Sequence, residues 1–168
     1  MRQDFPEEFD EIIEVLGRFR LPKSALVRGG GNKNPATSGW IDSEFYKKGW
    51  CEKEFDIKIK VDESEKLSPT HSIDCFKNKV GLEIEWNNKD PFFDRDLNNF
   101  RLLHSIGVLS VGVIVTRCDE LQGIVKSLGR GSSFGQATTH MSKLLPKIEG
   151  GCPVLVFGIS SKLYDEDR

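Results

Sequence analysis

His71-Ser72-Ile73-Asp74-Cys75-Phe76 and Val80-Gly81-Leu82-Glu83-Ile84-Glu85-Trp86 are two alternating runs separated by Lys77-Asn78-Lys79. In the second run Val80, Leu82, Ile84 and Trp86 share one face and Glu83 and Glu85 the other, the period of a strand with one side on a core. If Asn78-Lys79 form a two-residue turn, Cys75 pairs with Leu82, Asp74 with Glu83 and Ile73 with Ile84. A three-residue turn would set Ile73 against Glu83, so the apolar pattern selects an even-length connection.

Directly opposed residues have Cβ atoms about 5 Å apart, and like charges at that distance destabilise a sheet. Something positive therefore belongs between Asp74 and Glu83. Glu85, two residues along, stands about 6.5 to 7 Å from Glu83 and can serve the same ion or its neighbour. Three carboxylates with no His or Cys suit a hard cation such as Mg²⁺, which takes oxygen ligands. Such a cation lowers the pKa of a bound water and neutralises charge on a phosphate while a carboxylate accepts the proton, the requirements of phosphodiester hydrolysis. A row of acids on a strand is also what an ordinary solvated face looks like. Retaining glycosidases likewise use paired carboxylates, about 5 to 5.5 Å apart, but no aromatic sugar platform lies beside these.

Asp4 and Glu7 have the spacing of a capping box, and Phe9, Ile12, Ile13 and Leu16 continue as an amphipathic stripe, predicting a helix over 5–19. From Gly29 to Gly39 the turn formers predict a long loop. Lys53–Val61 alternates, with Phe55, Ile57, Ile59 and Val61 on one side, as a half-exposed strand. Past the hairpin, Asp94 is placed to cap a helix that Gly107 closes, and the apolar run Val108–Val115 predicts a central strand covered on both faces. Asp119 opens a further helix ended by Gly129, and a Gly/Ser-rich loop spans 129–137. Met141, Leu144, Leu145 and Ile148 repeat the stripe in a helix shortened or kinked by Pro146, and Pro153–Ile159 predicts a last buried strand. The expectation is an α/β sandwich, a central mixed β-sheet flanked by α-helices, in one domain over 1–168.

Acids and bases nearly cancel, 26 against 24, so bulk charge does not announce a polyanionic partner. Locally, residues 18–48 hold seven bases and two acids, and Gln122–Lys147 holds four bases and no acid. Cys51, Cys75, Cys118 and Cys152 make no C-x-x-C pair, as expected of a reducing cytoplasm, and Cys75 and Cys152 lie in apolar runs as small hydrophobes. No apolar run approaches the roughly 20 residues of a membrane span, so a soluble protein is expected.

Asp74 followed by Glu83-Ile84-Glu85 resembles the D…E-x-K/E/Q signature of the PD-(D/E)xK restriction-endonuclease superfamily. Wider stretches are similar to the BglII group of type II restriction endonucleases: His71–Asp74, Glu85-Trp86-Asn87-Asn88-Lys89-Asp90, Phe93–Leu97, Thr138–Met141 with Lys143-Leu144, and Gly151–Leu155. The likeness covers roughly residues 50–160. It implies a restriction-endonuclease-like fold and Mg²⁺-dependent cleavage of double-stranded DNA. Asp74 and Glu83 would then be metal ligands, joined by the carbonyl of Ile84, and Glu85 would orient or deprotonate the attacking water. Many superfamily members carry Lys where this chain has Glu85. A homodimer is expected, because each such domain carries one active site and a duplex has two strands. A repair or junction-resolving nuclease, or a DNA-binding module with inactive acids, are the competing readings.

Arg130, Ser132, Ser133, Gln136, Thr139, His140 and Lys143, in the second basic loop and the helix after it, form a candidate set for phosphate and base-edge contacts. An ordinary mobile loop with a Ser/Thr cap would look similar. Asn32, Lys33 and Asn34 in the first Gly-rich loop are a further set. His71 could touch a phosphate or pack against Trp86, and Glu52 and Glu54 could add a carboxylate or merely face solvent.

Overall fold

A computed structural model describes residues 1–28, 34–86, 88–130 and 140–166. The chain runs α1 (Pro6–Arg18), β1 (Leu21–Pro22), α2 (Lys23–Arg28), α3 (Ser38–Lys47), β2 (Cys51–Lys53), β3 (Asp56–Val61), β4 (Ser64–Pro69), β5 (Ile73–Lys77) and β6 (Val80–Glu85). It continues through α4 (Pro91–Ser105), β7 (Val111–Arg117), α5 (Leu121–Ser127), α6 (Met141–Leu144), β8 (Val154–Ile159) and β9 (Tyr164–Asp165). Five strands form one mixed sheet in the order β2-β5-β6-β7-β8, antiparallel from β2 to β6 and parallel from β6 to β8. Parallel neighbours need crossovers, which α4 and the α5–α6 segment supply.

Every residue of β7 is buried, as its unbroken apolar run predicts, though the strand begins three residues after Val108. Val113 and Val115 join an apolar cluster with Ile12 and Val15 of α1 and Ile41 and Phe45 of α3, whereas Ile114 joins Phe93, Leu97 and Phe100 of α4 on the opposite face. Helices therefore cover both faces of the sheet. Gly112 gives α4 its seat, because a Cβ there would stand 2.3 Å from Cδ2 of the fully buried Phe100. Gly112→Ala should cost about 1 to 3 kcal/mol through overpacking. Urea denaturation checks it, and an unchanged midpoint would mean that α4 does not rest on β7 there.

The hairpin turn forms as expected. Asn78 (φ 45°) and Lys79 (φ 66°) both adopt the left-handed conformation of a two-residue turn, and Cys75 pairs with Leu82. The predicted pairings of Asp74 with Glu83 and of Ile73 with Ile84 do not follow, because the ladder between β5 and β6 ends at Cys75 and Leu82. Two steps of β2, from Cys51 to Lys53, lie against three steps of β5, from Phe76 to Ile73, so an extra residue bulges at Asp74-Cys75. That slip breaks the alternation, and Ile73 packs with the α4 cluster while Cys75 packs with the α1 cluster.

Other expectations need correction. Phe5, not Asp4, precedes α1, and no side chain caps that helix. The supposed loop ends in α3, whose buried positions include Ser38, Asp42 and Glu44, so it shows no clean apolar stripe. Lys53–Val61 is not one half-buried strand: β3 lies outside the five-stranded sheet and, among the described residues, pairs only with β4, and Ile59 and Val61 are 41% and 51% exposed. Asp94 lies in the first turn of α4, which Pro91 opens, and Glu120 rather than Asp119 precedes α5. Gly107 (φ +77°) and Gly129 (φ +72°) follow α4 and α5 as expected. The helix from Met141 is short, giving way at Leu145 to a 3-10 turn that holds Pro146. As the edge strand, β8 is only partly buried. No helix among the described residues is long and apolar enough to cross a membrane.

Candidate active site

The bulge in β5 and the end of its ladder with β6 open the sheet at the acids. Beyond the Cys75–Leu82 pair, side chains replace the ladder bonds. The Ile84 N–H donates to Asp74 Oδ2 at 3.0 Å, and the Asp74 N–H faces Glu83 Oε2 at 3.4 Å. Tyr46 of α3 donates its hydroxyl to the Asp74 carbonyl at 3.1 Å. Asp74, Ile84 and Glu85 line a cleft of about 220 Å³, with His71 and Glu52 also on its wall. His71 is exposed rather than buried against Trp86, and its carbonyl accepts a hydrogen bond from Asn99 at 2.9 Å. Ser72 Oγ reaches Glu52 at 3.2 Å.

The acidic face of β6 is not a solvated surface. Glu83 is 1% and Glu85 2% exposed. Glu85 accepts from Asn88 Nδ2 at 2.6 Å and from Arg95 Nη2 at 3.3 Å, while Thr116 of β7 donates to its carbonyl at 2.9 Å. Asp96 of α4, fully buried beside them, is a fourth acid. Burial first, then the charges of Asp96, Asp74 and Glu85, push the Glu83 carboxyl well above its ordinary range. Burial and Asp96 push Glu85 up to about 9. Burial also raises Asp96, and its hydrogen bond with Glu85 favours a proton on Glu85.

The three carboxylates do not converge as expected. Among the described residues, no three Asp, Glu, His or Cys side chains stand together as a metal cage. The bonds explain why: Asp74 is engaged with the β6 backbone and Glu85 with Asn88 and Arg95. The donors nonetheless fit a hard cation that keeps most of its waters and needs only one or two carboxylates. They are all oxygens, and Glu83 Oε1 is buried with no hydrogen-bond partner among the described residues.

A sequence model of restriction endonuclease BglII/BglIII matches residues 1–159. The chain belongs to this family. No curated protein matches it. Membership makes this BglII-family chain a type II site-specific deoxyribonuclease, and the match reaches through α1 to α3, beyond the stretch whose likeness the sequence motifs carry. Its five-stranded mixed sheet between helices is consistent with the restriction-endonuclease-like fold.

Of this BglII-family chain's candidate DNA contacts, Asn32, Lys33, Ser132, Ser133, Gln136 and Thr139 lie outside the described residues. Asn34 Oδ1 accepts from the Ala36 N–H at 2.9 Å, shaping the turn into α3. Arg130 and Lys143 are part-buried. His140 is buried, with Nδ1 2.7 Å from Asp119, which also accepts from the Ser142 N–H and hydroxyl. Asp119 lies two residues beyond β7, whose end stands beside the end of β6 at Glu85. Arg95, Asp96 and Asn88 are site residues that the sequence does not single out, although they lie in the stretches Glu85–Asp90 and Phe93–Leu97 that are similar to the BglII group.

Proposed function

We propose that this BglII-family enzyme hydrolyses phosphodiester bonds of double-stranded DNA with Mg²⁺, using Asp74, Glu83 and Glu85. The observation that carries the reading is Glu83, an acid shut away from solvent beside Asp74 with one oxygen unpartnered among the described residues. Asp74, Glu83 and the Ile84 carbonyl would hold the cation. When bound, it supplies a lowered pKa for a coordinated water and positive charge against the phosphate. Asp74 is kept in place by the Ile84 N–H, which ties the carboxylate to the strand carrying Glu83. Glu85 orients the attacking water or accepts its proton once the charge of the bound cation offsets the push of burial and Asp96 towards its protonated form, and Asn88 fixes the carboxylate for that task. Arg130, His140 and Lys143, with the loop before them, would supply DNA contacts. A homodimer would place one such site on each strand of the duplex.

The test is digestion of plasmid DNA in Mg²⁺, in Ca²⁺ and in chelator, resolved on a gel. Discrete fragments in Mg²⁺ and intact plasmid in chelator are expected. Cleavage that persists undiminished in chelator, or a smear in place of fragments, would defeat the reading.

A further inference from the structure

The cleft presents several carboxylates to an incoming phosphate, including Asp42, Glu52, Asp74 and Glu85, and β6 itself brings no cation to it. One lysine or arginine lines it among the described residues, Arg95 from α4. Three contacts fix its guanidinium plane. Nε and Nη2 lie 2.9 and 2.7 Å from the same oxygen of Asp96, a side chain with no solvent exposure. The guanidinium carbon sits 4.4 Å from the centre of the Phe92 ring, another residue of the cleft wall. Nη2 also reaches Glu85 at 3.3 Å. Nη1 has no acceptor among the described residues.

We propose that Arg95 is a catalytic residue that donates from Nη1 to a non-bridging oxygen of the phosphate under attack, and that Asp96 is the positioning residue that aims it. The proposal rests on the reading of Asp74, Glu83 and Glu85 as the reaction centre. A planar, permanently charged donor is suited to an oxyanion whose charge grows in the transition state, and fixing it beforehand removes the cost of reorganisation during reaction. Asp96 faces away from solvent and supplies the opposing charge that keeps the guanidinium from collapsing fully onto Glu85. Arg95 therefore acts on the rate at saturation more than on DNA affinity.

The experiment measures single-turnover cleavage of plasmid DNA at saturating enzyme in Mg²⁺, and affinity for the same DNA in Ca²⁺. Arg95→Ala, Arg95→Lys, Asp96→Asn and Asp74→Asn are compared. Arg95→Ala should cleave about 10² to 10³-fold more slowly, the loss typical of removing one transition-state donor, with affinity changed less than about threefold. Guanidinium ion at about 50 mM should restore at least about tenfold of that rate, where NaCl of equal ionic strength does not, a rescue that a purely structural role would not show. Asp96→Asn, which keeps shape and loses charge, should slow cleavage about tenfold with affinity unchanged. If Arg95→Ala does not fold, Arg95→Lys and Asp96→Asn carry the test, and wild-type rates from both would overturn the proposal. It is also overturned if Arg95→Ala keeps the wild-type rate, or loses only affinity, while Asp74→Asn is inactive; the acidic centre would then stand without Arg95. Wild-type cleavage by Asp74→Asn would instead remove the reading beneath it.

Discussion

Asp74→Asn is expected to lower Mg²⁺-dependent cleavage by about 10³-fold or more, while folding and DNA binding stay close to wild type. The two halves of that result have separate causes. The Asp74 side chain accepts the Ile84 N–H at 3.0 Å, and an asparagine carbonyl oxygen can still accept it. The Tyr46 hydroxyl bonds the Asp74 backbone carbonyl, which the substitution leaves in place. Only charge is lost, and a half-charged donor set no longer offsets the desolvation of a small divalent ion. The measurements are single-turnover rates in Mg²⁺, gel-shift affinity in Ca²⁺, and melting temperature in chelator. A variant that cuts at the wild-type rate would remove Asp74 from the chemistry. One that fails to fold would instead mean that the carboxylate is needed to keep β5 on β6.

Much of the hairpin was legible because its signals are local. The Asn78-Lys79 turn and the alternation of Val80, Leu82 and Ile84 fix the register at Cys75–Leu82, since any odd-length turn would bury acids against the core. The bulge at Asp74 was not legible, because it is set by where β2 pairs and not by any residue within β5. That non-local event separates Ile73 from Cys75 and opens the strands at the acids. Alternation also misled at β3. Ile57, Ile59 and Val61 have the period of a half-buried strand, but only Ile57 packs against the α4 cluster, and among the described residues β3 pairs with β4 alone, leaving Ile59 and Val61 exposed. The reverse held for Glu83 and Glu85, which sit on the polar side of their strand and yet are buried, because α4 brings Asp96 and Arg95 over that face. The sequence pattern separates apolar from polar, whereas the cleft depends on which polar face another element covers.

Glu83→Gln carries the second large expectation, a change in stability and in cation response together. In chelator, Glu83 is a buried acid with Asp96, Asp74 and Glu85 around it and one oxygen without a hydrogen bond among the described residues. Glutamine keeps the shape, and its carbonyl can still accept the Asp74 N–H now facing Oε2 at 3.4 Å. Its NH₂ would replace the unpartnered oxygen with a donor among carboxylates, so the repulsion becomes attraction. The variant should therefore melt at or above the wild type in chelator, by about 2 to 4 °C for each kcal/mol gained in a chain of this size. Added cation should reverse the ranking. An ion present at a hundred times its dissociation constant stabilises the folded state by about 2.7 kcal/mol. At the same scaling that raises the wild-type melting temperature by about 5 to 10 °C. Glu83→Gln, with one charged ligand removed, should gain less than about 2 °C and should lose cleavage. Thermal-shift series in chelator, Mg²⁺ and Ca²⁺ on both proteins, run beside the plasmid assay, make the comparison. A lower melting temperature for the variant in chelator would show that the buried carboxylate is not strained in the empty site. Equal cation-induced shifts in the two proteins would show that Glu83 holds no ion, and the cation would have to bind elsewhere in the cleft.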